Sequence, residues 1–164
     1  MALNEVSTIL WRERQLLELL LFKLEEEQLL LAAGRTRWLA HATREVESVL
    51  EQLKHAELAR AVEVARLAEE LGIPTEASLR ELAAAVDPPW DEILNDHREA
   101  FLKAAEEVVG LANTNRELLS RGYQAAREVL ASITTGTSEP EIGLYSATGT
   151  AARRQPTRLL DEVM

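Results

Sequence analysis

Any chemistry this chain performed would have to come from three histidines and a scatter of carboxylates. His41, His55 and His97 are its imidazoles, and the lack of cysteine removes thiolate metal sites, disulfides and a cysteine nucleophile together. None of the three histidines stands three residues after a Glu, so the Glu-x-x-His pairs that line di-iron helical bundles are missing. Glu51 and His55 share a helix face at i, i+4, but one such pair supplies half a metal site at best. Asp91, Glu92, Asp96 and Glu99 cluster at what reads as the start of a helix, where the dipole favours carboxylates without any catalytic role. No Gly-rich phosphate loop follows a strand, and no Gly-x-Ser-x-Gly elbow is present. Thr134-Thr135-Gly136-Thr137-Ser138 reads as a solvated linker rather than the seat of a nucleophile. Trp11, Trp38 and Trp90 read as core or lid residues. The expectation is a protein that is not an enzyme, with no catalytic residue, no cofactor and no metal.

The elements that carry these residues are helices. Apolar residues make up 46% of the 164 but aromatics only 4%, and Leu, Ala, Glu and Arg dominate, a composition of helix formers. Leu3, Val6, Leu10, Leu17, Leu20, Leu24 and Leu31 recur at spacings of three, four or seven, predicting a first helix over 3–33. Its apolar face is wide, which suggests two neighbouring helices rather than one seam. Gly34 ends it, and a second helix follows over 36–71 as an antiparallel partner, stopped by Gly72-Ile73-Pro74. A capping box, Ser78-Leu79-Arg80-Glu81, introduces a short piece over 79–86. Asp87 as N-cap and Pro88 at the first helical position open a third long helix that runs to Ile133 unless Gly110 or Gly122 breaks it. The expected fold is all-α: a long antiparallel helical hairpin plus a third long helix, in an up-down-up, coiled-coil-like bundle. Residues 1–133 form the helical domain and 134–164 a flexible C-terminal tail whose Gly, Pro, Thr and Ser hold too little apolar surface to order themselves.

The formal charge is −10, from 28 acidic against 18 basic residues spread along the chain. Without a concentrated basic stripe, a nucleic-acid partner is not expected, nor is binding to a membrane surface. No run approaches the roughly 18 apolar residues of a membrane span. The segment Leu16–Leu24 is interrupted by Glu18 and Lys23 and does not make a signal peptide. These features predict a cytoplasmic protein with no membrane insertion.

The most specific pattern lies near the C-terminal end. Asn115-Arg116-Glu117-Leu118-Leu119, then Val129-Leu130, then Leu144-Tyr145 with Gly149 four residues on, resembles the FlgN-type flagellar export chaperones, which share an Asn-x-x-Leu-Leu helix, a short variable linker and a Leu-Tyr-Gly-x-x-Gly tail. Ser146 stands where the family usually has its first Gly. The resemblance implies a cytoplasmic chaperone of the flagellar type III secretion system that binds hook-associated proteins of the FlgK/FlgL type, at the hook–filament junction, and aids their export. It places client binding on the amphipathic C-terminal helix, at Leu111, Asn115, Leu118, Leu119, Ala125, Val129 and Leu130. It places docking to the export-gate cytoplasmic domain on Leu144, Tyr145 and Gly149. The apolar members of the client set would serve equally as ordinary bundle core. A monomer or weak dimer is expected, the alternative being a self-associating coiled-coil adaptor without an export role.

Overall fold

The computed structural model describes residues 2–138, with side chains through residue 134. The described residues are helical: α1 (Ala2–Ala32), a 3-10 turn (Thr36–Trp38), α2 (Leu39–Leu71), α3 (Leu79–Ala85) and α4 (Trp90–Ser138). The chain divides into two compact units, residues 1–122 and 123–164.

In the first unit, α1 and α2 form the antiparallel hairpin, joined where Gly34 takes a left-handed φ of 65° and the Arg35 amide reaches back to the Leu30 carbonyl. Gly72, at φ 68°, closes α2 in the same way, with the Ile73 amide on the Ala68 carbonyl. The wide apolar face of α1 meets both other long helices. Val6 and Leu10 pack with Val64 and Leu67 of α2 and Leu94 of α4, while Leu16, Leu20 and Leu24 pack with Val46, Val49 and Leu53 of α2 and with Val108 and Leu111 of α4. Low-numbered residues of α1 thus meet the start of α4 and high-numbered ones its middle, so α4 runs parallel to α1 and the order is up-down-up. Each fully buried Leu contributes about 1.5–3 kcal/mol relative to an exposed one.

Two boundaries differ from expectation. α4 begins at Trp90, two residues after Pro88: the Trp90 amide closes a turn onto the Asp87 carbonyl at 3.1 Å, and the Ile93 amide reaches the Pro89 carbonyl at 3.2 Å. At its other end α4 reaches Ser138 rather than Ile133, so the Thr/Gly/Ser run expected as linker continues the helix. Within this run the Thr134 hydroxyl donates to the carbonyls of Leu130 and Ala131 one turn back, at 2.6 and 3.1 Å. Gly110 and Gly122 both lie inside α4, each a cost of about 1 kcal/mol relative to Ala. In the second unit the described part is helical through Ser138, and residues 123–134 are exposed.

Candidate functional site

The root of the candidate site is a polar clasp joining three helices. Asn115 of α4 is 3% exposed, and its Nδ2 donates to the Leu24 carbonyl at 2.9 Å and to Glu27 Oε1 at 3.1 Å. The other oxygen of Glu27 accepts from the Thr43 hydroxyl of α2 at 3.2 Å. One carboxylate of α1 therefore ties α2 and α4 together at the level where the second apolar cluster ends. Just below it, Lys23 pairs with Glu45 at 2.8 Å, and Glu45 in turn meets His41 at 3.2 Å. The hydrogen bond from Lys23 holds the Glu45 carboxyl below its ordinary range.

Past Asn115 the surroundings of α4 change. Leu118 is half-buried, whereas Leu119 is 54% exposed and Ala125, Val129 and Leu130 are exposed. Leu111, by contrast, packs against the second core cluster. Of the seven residues expected to hold a client, Leu111 and Asn115 thus face into the bundle, Leu118 is half-buried and the other four are exposed. Tyr123, one turn past Leu119 and 41% exposed, sits on the same stretch and was not singled out by the sequence. Leu119 in the first unit and, in the second, Tyr123, Val129 and Leu130 are each large apolar side chains left open to solvent. Leu144, Tyr145 and Gly149 lie outside the described residues.

Deeper in the bundle, a polar layer separates the two apolar clusters. Glu13 of α1 is 2% exposed, and Arg60 of α2 approaches its Oε2 at 3.0 Å as an ion pair without the alignment of a hydrogen bond. The Arg60 guanidinium also lies over the ring of Phe101 on α4. Phe101 stacks on His97, whose fully buried ring meets the edge of Trp11 and, through Nδ1, the Arg14 guanidinium at 3.5 Å. Arg14 is itself paired with Asp96 at 2.8 Å. Burial pushes the Glu13 carboxyl above its ordinary value, Arg60 opposing and Glu57 adding to the rise. Burial lowers the His97 imidazole, as does Arg14, with Asp96 opposing. This layer offers no free nucleophile, and among the described residues no group of three or more His, Asp or Glu could hold a metal ion.

The family model described as FlgN protein matches residues 1–153, nearly the whole sequence. The chain belongs to the FlgN family. No curated protein and no solved structure matches it significantly. FlgN proteins are flagellar export chaperones that bind flagellar proteins as clients, and that general role is this protein's as well. The matched span includes Leu144, Tyr145 and Gly149, the positions of the tail motif. No helix among the described residues is long and apolar enough to cross a membrane.

Proposed function

We propose that this FlgN protein holds hook-associated proteins in the cytoplasm before export, and that Leu118, Leu119, Ala125, Val129 and Leu130 of α4 carry the client contact. The observation that carries this reading is the exposure of the large side chains Leu119, Val129 and Leu130, at 54%, 56% and 49%, on a helix whose earlier turns are packed. An amphipathic helix of a client laid against them would remove that apolar area from water, at about 25 cal/mol per Å2. Leu111 and Asn115 act here as anchors of α4 rather than as client contacts. Release at the export gate requires only that the same area be re-exposed.

Leu144, Tyr145 and Gly149 are assigned to the gate on the strength of the family pattern. A tyrosine suits such a contact because it buries apolar area at small rotamer cost and satisfies a hydrogen bond at the rim.

The test pairs Leu119→Glu with Leu130→Glu. Both side chains are exposed, so thermal stability should move by no more than about 0.5 kcal/mol. Titration calorimetry with the terminal helices of a hook-associated protein should show binding to the wild type and its loss in the double variant. If the double variant binds normally, the client face lies elsewhere. If the wild type instead self-associates in light scattering and ignores the client, the protein is a coiled-coil adaptor.

A further inference from the structure

The first unit carries a groove that the chaperone reading leaves unused. It is open to solvent, its volume is about 640 Å3, and α2, the connector 75–78, the start of α3, and Arg98 of α4 line it. Its floor is apolar, formed by Ala61, Val64, Ala65, Ala77 and Leu79. Three arginines, Arg60, Arg80 and Arg98, converge on it from α2, α3 and α4, against Glu76 as the one carboxylate among the described lining residues. Arg60 is already committed to Glu13. Arg80 and Arg98 have no carboxylate partner among the described residues, although acidic side chains outnumber basic ones 28 to 18 over the chain. Arg12, Arg35, Arg37, Arg44, Arg116 and Arg127 also lack an ion-pair partner among the described residues, so what sets the groove apart is its lining, three arginines against one carboxylate beside apolar side chains, a local inversion of the prevailing charge.

We infer that this groove binds an acidic, apolar peptide segment of a partner protein, its carboxylates on Arg80 and Arg98 and its apolar side chains on the floor. Guanidinium forks match carboxylates two bonds at a time, which makes arginine rather than lysine the apt rim residue. A small inorganic anion would satisfy the arginines and leave the floor uncovered. A nucleic-acid strand would meet no aromatic platform in the lining, and a net charge of −10 would repel its backbone. The same field repels a whole acidic domain but acts weakly on a short segment once it is within the roughly 8 Å over which salt permits the arginines to attract it. Arg98 stands twenty positions before Leu118, about 30 Å along α4, so the groove and the proposed client contact are separate sites.

The probe is a fluorescein-labelled amphipathic peptide built of Leu and Glu, with a Leu and Gln peptide as its neutral control, measured by anisotropy against the full chain. The expected result is that the Leu/Glu peptide binds, that salt weakens it, and that the neutral control binds at least tenfold more weakly. Arg80→Glu with Arg98→Glu should weaken binding at least tenfold, and the milder Arg80→Gln with Arg98→Gln should do so by a smaller factor at an unchanged melting temperature. Arg60 is left intact because its loss would strand the buried Glu13. Absence of binding to the wild type, equal binding of the neutral control, or undiminished binding to the arginine variants would each overturn the inference. So would loss of the peptide in Leu119→Glu with Leu130→Glu while the arginine variants retain it, which would put the peptide on the client face.

Discussion

Arg60→Ala should destabilise the protein by an amount that depends on pH, and the reason is the burial of its partner. The Glu13 side chain is 3% exposed and that of Arg60 32%, with Nη1 3.0 Å from Oε2. Deleting one member of such a pair costs about 3–5 kcal/mol when the survivor keeps its charge. Protonating Glu13 sets a ceiling on that cost. Placing a proton at pH 7 on a carboxyl whose ordinary pKa is 4.5 takes about 3.4 kcal/mol, at about 1.36 kcal/mol per pH unit. The folded protein adopts whichever state is lower in free energy, and burial already raises this carboxyl in the wild type, so part of that cost is present before the substitution and the loss at pH 7 should stay below about 3.4 kcal/mol, with about 0.5–1 kcal/mol more for the contact with Phe101. At pH 5 the ceiling drops to about 0.7 kcal/mol, and the penalty should shrink by more than half. Glu13→Leu removes the charge altogether, and in that background Arg60→Ala should cost only the ring contact. Urea unfolding followed by far-UV circular dichroism, on wild type, both single variants and the double variant at pH 7 and pH 5, measures all of these. An Arg60→Ala penalty that is the same in the Glu13→Leu background, or the same at both pH values, would refute the reasoning.

Other expectations follow from the same structure. Ser78→Ala should cost about 1 kcal/mol in urea unfolding, since the Ser78 hydroxyl caps the Glu81 amide of α3. Hydrogen bonds from Ser78 hold the Glu81 carboxyl below its ordinary 4.5, so its stabilising effect is present above that pH and is lost as pH falls through the lowered folded value. His97 has its folded pKa lowered from 6.5, so below that pH the unfolded chain takes up a proton that the folded one resists, and stability falls until the folded value is reached. His97→Phe should remove that slope from melting temperatures measured against pH; an unaltered slope would exonerate the imidazole. Tyr145→Ala should leave client affinity unchanged and weaken binding to the export-gate cytoplasmic domain, both read by calorimetry. Equal gate affinity would take Tyr145 out of the mechanism.

The helices were legible because their signals are local. Gly34 and Gly72 mark the left-handed residues at the ends of α1 and α2, and Ser78 with Glu81 forms the box its spacing announces. The start of α4 lies at Trp90, two residues beyond the Pro88 that the N-cap reading of Asp87 expects. The polar layer was half visible: the apolar stripe of α1 steps by seven from Leu10 to Leu17, and Glu13 occupies the gap, three residues after Leu10 and four before Leu17. Its partner could not be read, because Arg60 is 47 positions away and only the register of α2 against α1 brings the two together. Glu27 was hidden more thoroughly, since it ends the triplet Glu25-Glu26-Glu27 and only its contacts with Thr43 and Asn115 distinguish it. The split of the candidate client residues into inward and outward sets likewise depends on where α1 and α2 stop covering α4, a tertiary quantity.

That split has a physical rationale in the kind of contact that makes it. Apolar packing is non-directional, so a helix held only by Leu and Val contacts can slide by part of a turn at little cost. Asn115 is held differently, by two hydrogen bonds to acceptors fixed on α1, the Leu24 carbonyl and the Glu27 carboxylate. Shifting α4 along its axis would break both and leave a buried amide unsatisfied, at about 1–3 kcal/mol. A buried polar residue that specifies register is a known device between packed helices. Here it stands three and four residues before Leu118 and Leu119, where the side chains of α4 pass from core to surface. A chaperone whose client contact is apolar has particular need of it, because the same leucines that suit a client would otherwise gain by drawing back into the bundle. On the proposed reading, the Asn of the Asn-x-x-Leu-Leu pattern acts on the client contact from inside the fold, by fixing which leucines remain outside.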